Sequence, residues 1–340
     1  MSQTLPLVSV IITTYRNETY LPRAIESVLH QSYPNIELIV VDDNPPESEA
    51  RANTEAVMDR YPQVVYLRHP KNLNGAAARN TGIRAAKGQY LAFLDNDDIY
   101  FSDHIADCVA QLQLHPECNS VVCGVIKIRS GLCWELINAP SADLARELLF
   151  RETALGTGSN LFVSTEATRS IGGFDERFRR HQDVEFGLRY FAQNKVCSLQ
   201  KVQIIKEMDG FSNAPDFQRF LSTKQLLWDT FQQELEALTP EDRKRYFANQ
   251  YTALLYTACK AGDRAQIKWV MDQLTAMRPA NRKDHLLVTL SRLGLFNTYE
   301  SIKKTVKALR SNRIRRQISK GLSDRDLTFF NDALAGGKRR

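Results

Sequence analysis

The sequence predicts an α/β fold: a mixed, mainly parallel sheet flanked by helices and followed by a helical C-terminal region. Three features carry this. Through the first hundred residues, short apolar runs alternate with stretches whose apolar residues recur every three to four positions. The first runs are continuously apolar, as expected of strands buried on both faces. After about Pro215 only helical spacing remains, which predicts a boundary between 1–215 and 216–340.

The elements follow in order. LVSVIIT at 7–13 is a β-branched first strand. Leu21, Ala24, Ile25, Val28 and Leu29 then repeat at helical spacing. IELIVV at 36–41 is the second strand and stops at Asp42 and Asp43. Asn44-Pro45-Pro46 breaks the chain before a polar helix over 47–61. Residues 64–67 form a third strand. NLNGAAARNTGIRAA at 72–86 is a turn entering a helix. The run 90–94 is the fourth strand, and it ends in Asp95, Asn96, Asp97 and Asp98. A β-rich stretch at 120–128 follows, with 134–137 as its hairpin partner. Next come a helix at 143–150, a loop entering a strand at 156–163, and helices at 164–170 and 183–191. Helical patterns then cover 217–238, 240–261, 264–277, 283–293 and 301–322.

In such sheets ligands bind beyond the carboxyl ends of the strands. Three of those ends carry Thr13 to Tyr15, Asp42-Asp43, and Asp95 to Asp98, so they should face one crevice. Three carboxylates in four residues repel one another and lose hydration unless something positive sits among them. Hard oxygen ligands suit Mg²⁺ or Mn²⁺, which keep waters and bridge to substrate phosphates. The plainer reading is an acidic loop capping the helix that starts near Ser102. TTYRNE after the first strand is neither G-x-G-x-x-G nor a P-loop. Gly156-Thr157-Gly158 is the only glycine-rich alternative and lacks a third glycine.

Hydrophobic residues make up 43% and charged residues 25% of the 340, and the net charge is +6. These are values of a soluble globular chain. The six cysteines form no C-x-x-C pair, against a zinc site or disulfide framework and in keeping with a reducing cytoplasm. The N-terminus lacks the pattern of a signal peptide, and no apolar run reaches the length of a membrane span. The expected location is cytoplasmic, with peripheral attachment to the inner face of the cell membrane as an option. The stretch 301–322 holds eight Lys and Arg and no acid. Ile302, Val306, Leu309, Ile314, Ile318 and Leu322 give it an apolar face. It reads either as a helix packed on the core or as one lying on an anionic membrane. It lacks interleaved aromatics, so nucleic acid is not an expected partner.

VSVIITTYRNETYLPRAIESVLHQSYPNIELIVVDDN, NLNGAAARNTGIRAAKGQYLAFLDNDD and IGGFDERFRRHQDVEF, taken in order, resemble family 2 glycosyltransferases of the GT-A fold. The resemblance covers roughly 5–215. It implies an inverting, metal-dependent transfer from a nucleotide-diphosphate sugar, with a UDP-sugar as the expected donor. Donor binding would lie in about 5–100 and the acceptor side in about 120–215. Asp95, Asn96 and Asp97 match the D-x-D motif: Asp97 as metal ligand, Asp95 on the metal or ribose. Thr13, Tyr15 and Asn17 match the first-strand loop, with the tyrosine stacked on the base. Asp42 or Asp43 matches the carboxylate that reads the base edge, and Arg79 the arginine facing the nucleotide. Asp183 matches the general base, with Gln182 where the family usually has glutamate. No Q-x-x-R-W motif is present, so a non-processive hexosyltransferase is implied. The implied acceptor is a hydroxyl of a glycan or lipid-linked oligosaccharide in surface polysaccharide synthesis. The late histidine that helps hold the diphosphate in many relatives is missing from IIKEMDGFSN, where Lys206 and Asp209 are the nearest substitutes.

Inversion needs a base for the acceptor proton and charge stabilisation on the departing diphosphate. Glu185 is the rival base. On a helix it points about 200° away from Asp183, so only one can face the crevice. A nucleotidyltransferase, or an inactive binding protein of the same fold, are the competing readings. The first lacks its usual basic glycine loop here, and the intact aspartates oppose the second.

Overall fold

The computed structural model describes residues 5–16, 18–140, 143–209 and 216–336. Among them nine strands form one mixed sheet: β1 Val8–Thr14, β2 Ile36–Asp42, β3 Val65–Arg68, β4 Tyr90–Asp95, β5 Ile99–Tyr100, β6 Ser120–Arg129, β7 Leu132–Ile137, β8 Phe162–Ser164 and β9 Val196–Glu207. Their order is β3-β2-β1-β4-β8-β6-β9-β5, with β7 paired to β6. The first four strands run parallel, as their unbroken apolar character predicts. β8 lies antiparallel between β4 and β6, and β9 returns parallel to β6. Register brings the polar ends level: Thr13 stands opposite Asp95, and Thr14 opposite Asp42.

The core on one side of the sheet takes Leu21, Ala24, Ile25 and Val28 from the first helix against Val8, Val10 and Ile12. The helix Gly75–Ala85 packs on β1 and β2. At Gly82 a β-carbon would stand 2.4 Å from Ile11 Cγ2, so only glycine permits this approach.

The chain divides into two compact units, 1–212 with 310–340, and 213–309. The helical region expected over 216–340 is thus shared between them, and the expected boundary falls on 210–215, outside the described residues. The second unit is helical: Phe217–Thr230, Gln232–Glu236, Pro240–Ala261, Arg264–Met277 and Arg282–Arg292, around Leu254, Leu255, Ala258, Val270, Leu274 and Leu287. The pattern expected over 217–238 splits at Phe231, which caps the first of these helices and is buried there.

Over 301–322 the structure fits the core-packed reading for the second half of the stretch. The helix Phe296–Ser319 is longer than expected, and a further helix, Asp324–Gly336, follows it. Ile314, Ile318 and Leu322 pack with Phe330, Ala333 and Leu334 against Ile99, Ile126, Ile128 and Ile205. Asp326 accepts from the Ser102 amide and hydroxyl at 2.6 and 2.9 Å. The second half of the apolar face is therefore core. Ile302, Val306 and Leu309 remain exposed.

Candidate functional site

A crevice of about 240 Å³ opens at the carboxyl ends of β1 and β4. Thr13, Thr14, Tyr15, Asp43, Gly75, Ala78, Asp95, Asn96, Asp97 and Lys206 line it. A larger hollow of about 540 Å³ lies at the opposite strand ends, by Gly88, Asn119 and Thr165. Its arginine, Arg169, already donates to the Ile83 and Ala86 carbonyls. The chemistry gathers at the smaller crevice.

The four polar residues after β4 have four different surroundings. Asp95 accepts from Arg79 Nη2 at 2.7 Å. Burial pushes its carboxyl up, but the Arg79 and Lys206 charges outweigh this and hold it below the usual range. Asn96 turns inward and donates to Thr14 Oγ1 and the Arg16 carbonyl, both at 2.9 Å, bracing the loop after β1. Asp97 lines the crevice. Burial, with Asp98 and Asp95 beside it, pushes its carboxyl up to about 8. Asp98 is fully buried and accepts from Thr157 Oγ1 at 2.7 Å and Ser159 Oγ at 2.6 Å. The loop 156–159 is thus part of the site. Its glycine pattern is too short to mark it in the sequence.

The two aspartates after β2 are committed to the protein. Asp42 is fully buried; its Oδ2 pairs with Arg51 Nε at 3.0 Å and accepts from Tyr66 Oη at 2.6 Å. Burial pushes its carboxyl up even so. Asp43 borders the crevice, yet its oxygens accept from His69, Asn72 and the Leu73 and Asn74 amides at 2.7–3.0 Å. That places the start of helix Gly75–Ala85, where Asn74 caps the Ala76 and Ala77 amides. Both carboxylates thus hold loops in place, a role the sequence does not suggest for them. Tyr15 is half-buried on the crevice wall under the Arg16 guanidinium, 5.1 Å from its ring centre. Asn17 lies outside the described residues.

Asp183 sits in the first turn of helix Gln182–Phe191. A β-carbon at Gly158 would meet the Asp183 Cβ at 3.6 Å and Arg79 Nη2 at 3.5 Å, so loop, arginine and aspartate adjoin. Gln182 Oε1 accepts from Arg79 Nη1 at 2.5 Å. The arginine therefore spans from Asp95 to the head of the Asp183 helix. A glutamate in place of Gln182 would compete with Asp95 for that cation. Glu185 turns the other way: it is fully buried and bound to Arg189, with Nη2 at 2.8 Å.

A divalent cation fits the donor set on offer. Asp95 and Asp97 are hard carboxylates at one wall, and burial beside Asp98 and Asp95 disfavours the charged form of Asp97, which a cation would favour. Among the described residues no group of three His, Cys, Asp or Glu converges. Further ligands would come from a diphosphate and water, the usual arrangement for Mg²⁺.

Residues 9–172 match the model of Glycosyl transferase family 2. Uncharacterized glycosyltransferases of Rickettsia bellii and Rickettsia felis are 27% and 26% identical over 74% and 80% of this chain, which spans 37% and 45% of theirs. One from Methanocaldococcus jannaschii is 26% identical over 72% of this chain and 82% of its own. Among solved structures, S. aureus TarS 1–349 in complex with UDP-GlcNAc superposes with a TM-score of 0.59 at 15% identity, covering 88% of this chain and 91% of that one. Mannosyltransferase PcManGT from Pyrobaculum calidifontis, in complex with GDP-Man and Mn²⁺, gives 0.52 at 17% identity, covering 91% and 87%. The fold is of the GT-A type, with a helical C-terminal region, as predicted. Together the matches support family 2 of the glycosyltransferases.

Proposed function

We propose that the protein is a metal-dependent, inverting glycosyltransferase that moves a sugar from a nucleotide-diphosphate donor to a hydroxyl of a glycan or lipid-linked acceptor. The observation that carries this is one crevice bordered by Tyr15, Asp95, Asp97 and Lys206, with Arg79 joining it to the Asp183 helix. The UDP-GlcNAc and GDP-Man bound in the structures of similar fold support a nucleotide-sugar donor, and UDP is the first to try.

Tyr15 and Thr13 would border the base and ribose. Asp97, with Asp95, would hold a divalent cation, which when bound supplies Lewis-acid stabilisation to the diphosphate. Asp183 takes the acceptor proton as the oxygen attacks the anomeric carbon. The buried pair of Glu185 with Arg189 supports Asp183 over Glu185 for that role. Arg79 fixes Asp95 and orients the head of the Asp183 helix.

The exposed Ile302, Val306 and Leu309, beside Lys304, Lys307 and Arg310, suit contact with an anionic membrane surface. No helix among the described residues is long and apolar enough to cross a membrane.

Incubation with UDP-, GDP- and dTDP-sugars in Mn²⁺, Mg²⁺ or EDTA tests the activity. Release of one nucleoside diphosphate, dependent on metal, is expected. Release of pyrophosphate instead would favour a nucleotidyltransferase, and no turnover of any donor would favour an inactive binding protein.

A further inference from the structure

The helical unit 213–309 holds a hollow of its own. It has a volume of about 390 Å³ and lies between the helices Arg264–Met277 and Arg282–Arg292. Each helix gives it one face. Arg264, Ile267, Lys268 and Met271 stand at i, i+3, i+4 and i+7, and His285, Val288, Thr289 and Arg292 repeat that spacing. Ile267 and Val288 are buried and Met271 is half-buried, so the floor is apolar. The rim is cationic. Arg264, Lys268 and Arg292 are exposed, and among the described residues none of the three side chains makes a hydrogen bond or an ion pair. Other cations of the same unit are filled: Arg278 pairs with Asp284 at 2.7 Å, and Lys303 with Glu300 at 3.0 Å. The short connection 278–281 makes the two helices an antiparallel hairpin. Arg264 and Arg292 therefore lie toward the end away from it, with Lys268 one turn along from Arg264. Asp272, the one acid on the hollow, stands nearer the connection, as does His285.

We propose that this hollow is a binding site for one molecule of an anionic phospholipid. The phosphate sits among Arg264, Lys268 and Arg292, and the glycerol and first acyl carbons lie over Ile267, Met271 and Val288. Charge complementarity commits the site to an anion: three permanent cations without a protein anion of their own draw one from outside. The apolar floor beneath them selects an anion that carries hydrocarbon. An acidic protein helix would answer the rim as well, but the surroundings favour lipid. Seven of the eleven large apolar side chains exposed among the described residues lie within 269–309. Trp269, Leu286 and Ile302 belong to three different helices. A bilayer surface takes up such scattered groups, whereas a partner helix covers one stripe. The site goes beyond the transferase reading. It adds a saturable site to the membrane contact proposed for 302, 306 and 309, and the two fail separately.

Dihexanoyl-phosphatidylglycerol below its critical micelle concentration is the probe, because it presents the lipid without a membrane. Calorimetric titration of the full chain should show one saturable site. Dihexanoyl-phosphatidylcholine has the same chains without net charge, and inorganic phosphate has the charge without chains. Each should bind at least about 10-fold more weakly. Arg264→Gln, Lys268→Gln and Arg292→Gln together should lower affinity for the phosphatidylglycerol by about 10–100-fold. The melting temperature should hold, since these side chains bind nothing else in the protein. Serine at 302, 306 and 309 should leave the affinity for this monomeric lipid unchanged, whatever it does to vesicle binding. Equal binding of the two lipids, or wild-type affinity in the triple glutamine variant, would overturn the site. So would loss of monomeric lipid binding in the serine variant, which would move the lipid to the exposed stripe. Inorganic phosphate bound as tightly as the lipid would overturn the lipid in favour of a free phosphate. A wild type that binds no phosphatidylglycerol but captures an amphipathic helical peptide of Glu and Leu would overturn it in favour of a protein partner.

Discussion

Two acidic strand ends flank β1 in this sheet, and they are used in opposite ways. After β2, Asp42 and Asp43 are saturated by Arg51, Tyr66, His69, Asn72 and backbone amides. After β4, Asp95 and Asp97 face a crevice and share it with the Lys206 charge. Residue type and topological position are the same; the supply of protein donors differs. A carboxylate whose oxygens are already filled organises a loop. One left short of donors is available to an ion or a substrate. The contrast recurs on one helix, where Glu185 is bound to Arg189 and Asp183 adjoins the glycine loop.

The largest expected effect is at Asp97. Asp97→Asn should lower transfer by on the order of 10³-fold or more, the several kcal/mol that a metal supplies. The metal-free protein should not lose stability. Burial and two neighbouring carboxylates disfavour the charged form, so neutralising it relieves repulsion. Initial rates and thermal melts in EDTA check both halves. A variant with normal rates would remove Asp97 from the site.

Asp183→Asn should cost about 10²–10⁴-fold in kcat with donor binding retained. Glu185→Gln should do the reverse, leaving Arg189 without its buried anion and lowering the melting temperature while the folded enzyme turns over. Rates and melts on the pair decide it. An inactive, stable Glu185→Gln beside an active Asp183→Asn would exchange the two assignments.

Asp42→Ala should act on folding. Removing one partner of a buried ion pair typically costs about 3–5 kcal/mol, and urea denaturation would measure it. The donor KM of the folded fraction should stay near the wild type. A raised KM with unchanged stability would restore Asp42 to the nucleotide site, where the family resemblance allows it.

The parallel half is legible in the sequence because its signals are local. Continuous apolar strands, the Asp runs that end them and the Asn74 turn each occupy a few consecutive residues. Arg79 and Asp183 are placed by resemblance to a motif. The rest depends on contacts distant in the chain. β9 escapes a reading of the sequence because Gln200 and Lys201 interrupt it where its register on β6 shifts. With it goes the placement of Lys206. Asp42 and Asp98 look as exposed as any loop aspartate until Arg51 or Thr157 is brought beside them. The final helix does carry a signal: Leu327, Phe330 and Leu334 recur at helical spacing.

The same contrast between filled and open surfaces runs along the basic helix Phe296–Ser319, and it sets the smallest effect. Ile314 and Ile318 are packed against β-strand residues, whereas Ile302, Val306 and Leu309 are exposed. On a helix these three fall within about 60° of one another, so they form one stripe. Deleting 301–340 would not test membrane contact, because it also strips Phe330, Ala333 and Leu334 from the core. Serine at 302, 306 and 309 removes the stripe and spares the packed half. Each nearby Lys or Arg adds about 1 kcal/mol at an anionic surface, so the variant should retain weak, salt-sensitive binding. Its sedimentation with phosphatidylglycerol vesicles should fall, while its melting temperature and its transfer to a soluble acceptor stay near the wild type. Equal sedimentation of variant and wild type would show that the exposed stripe does not meet the membrane.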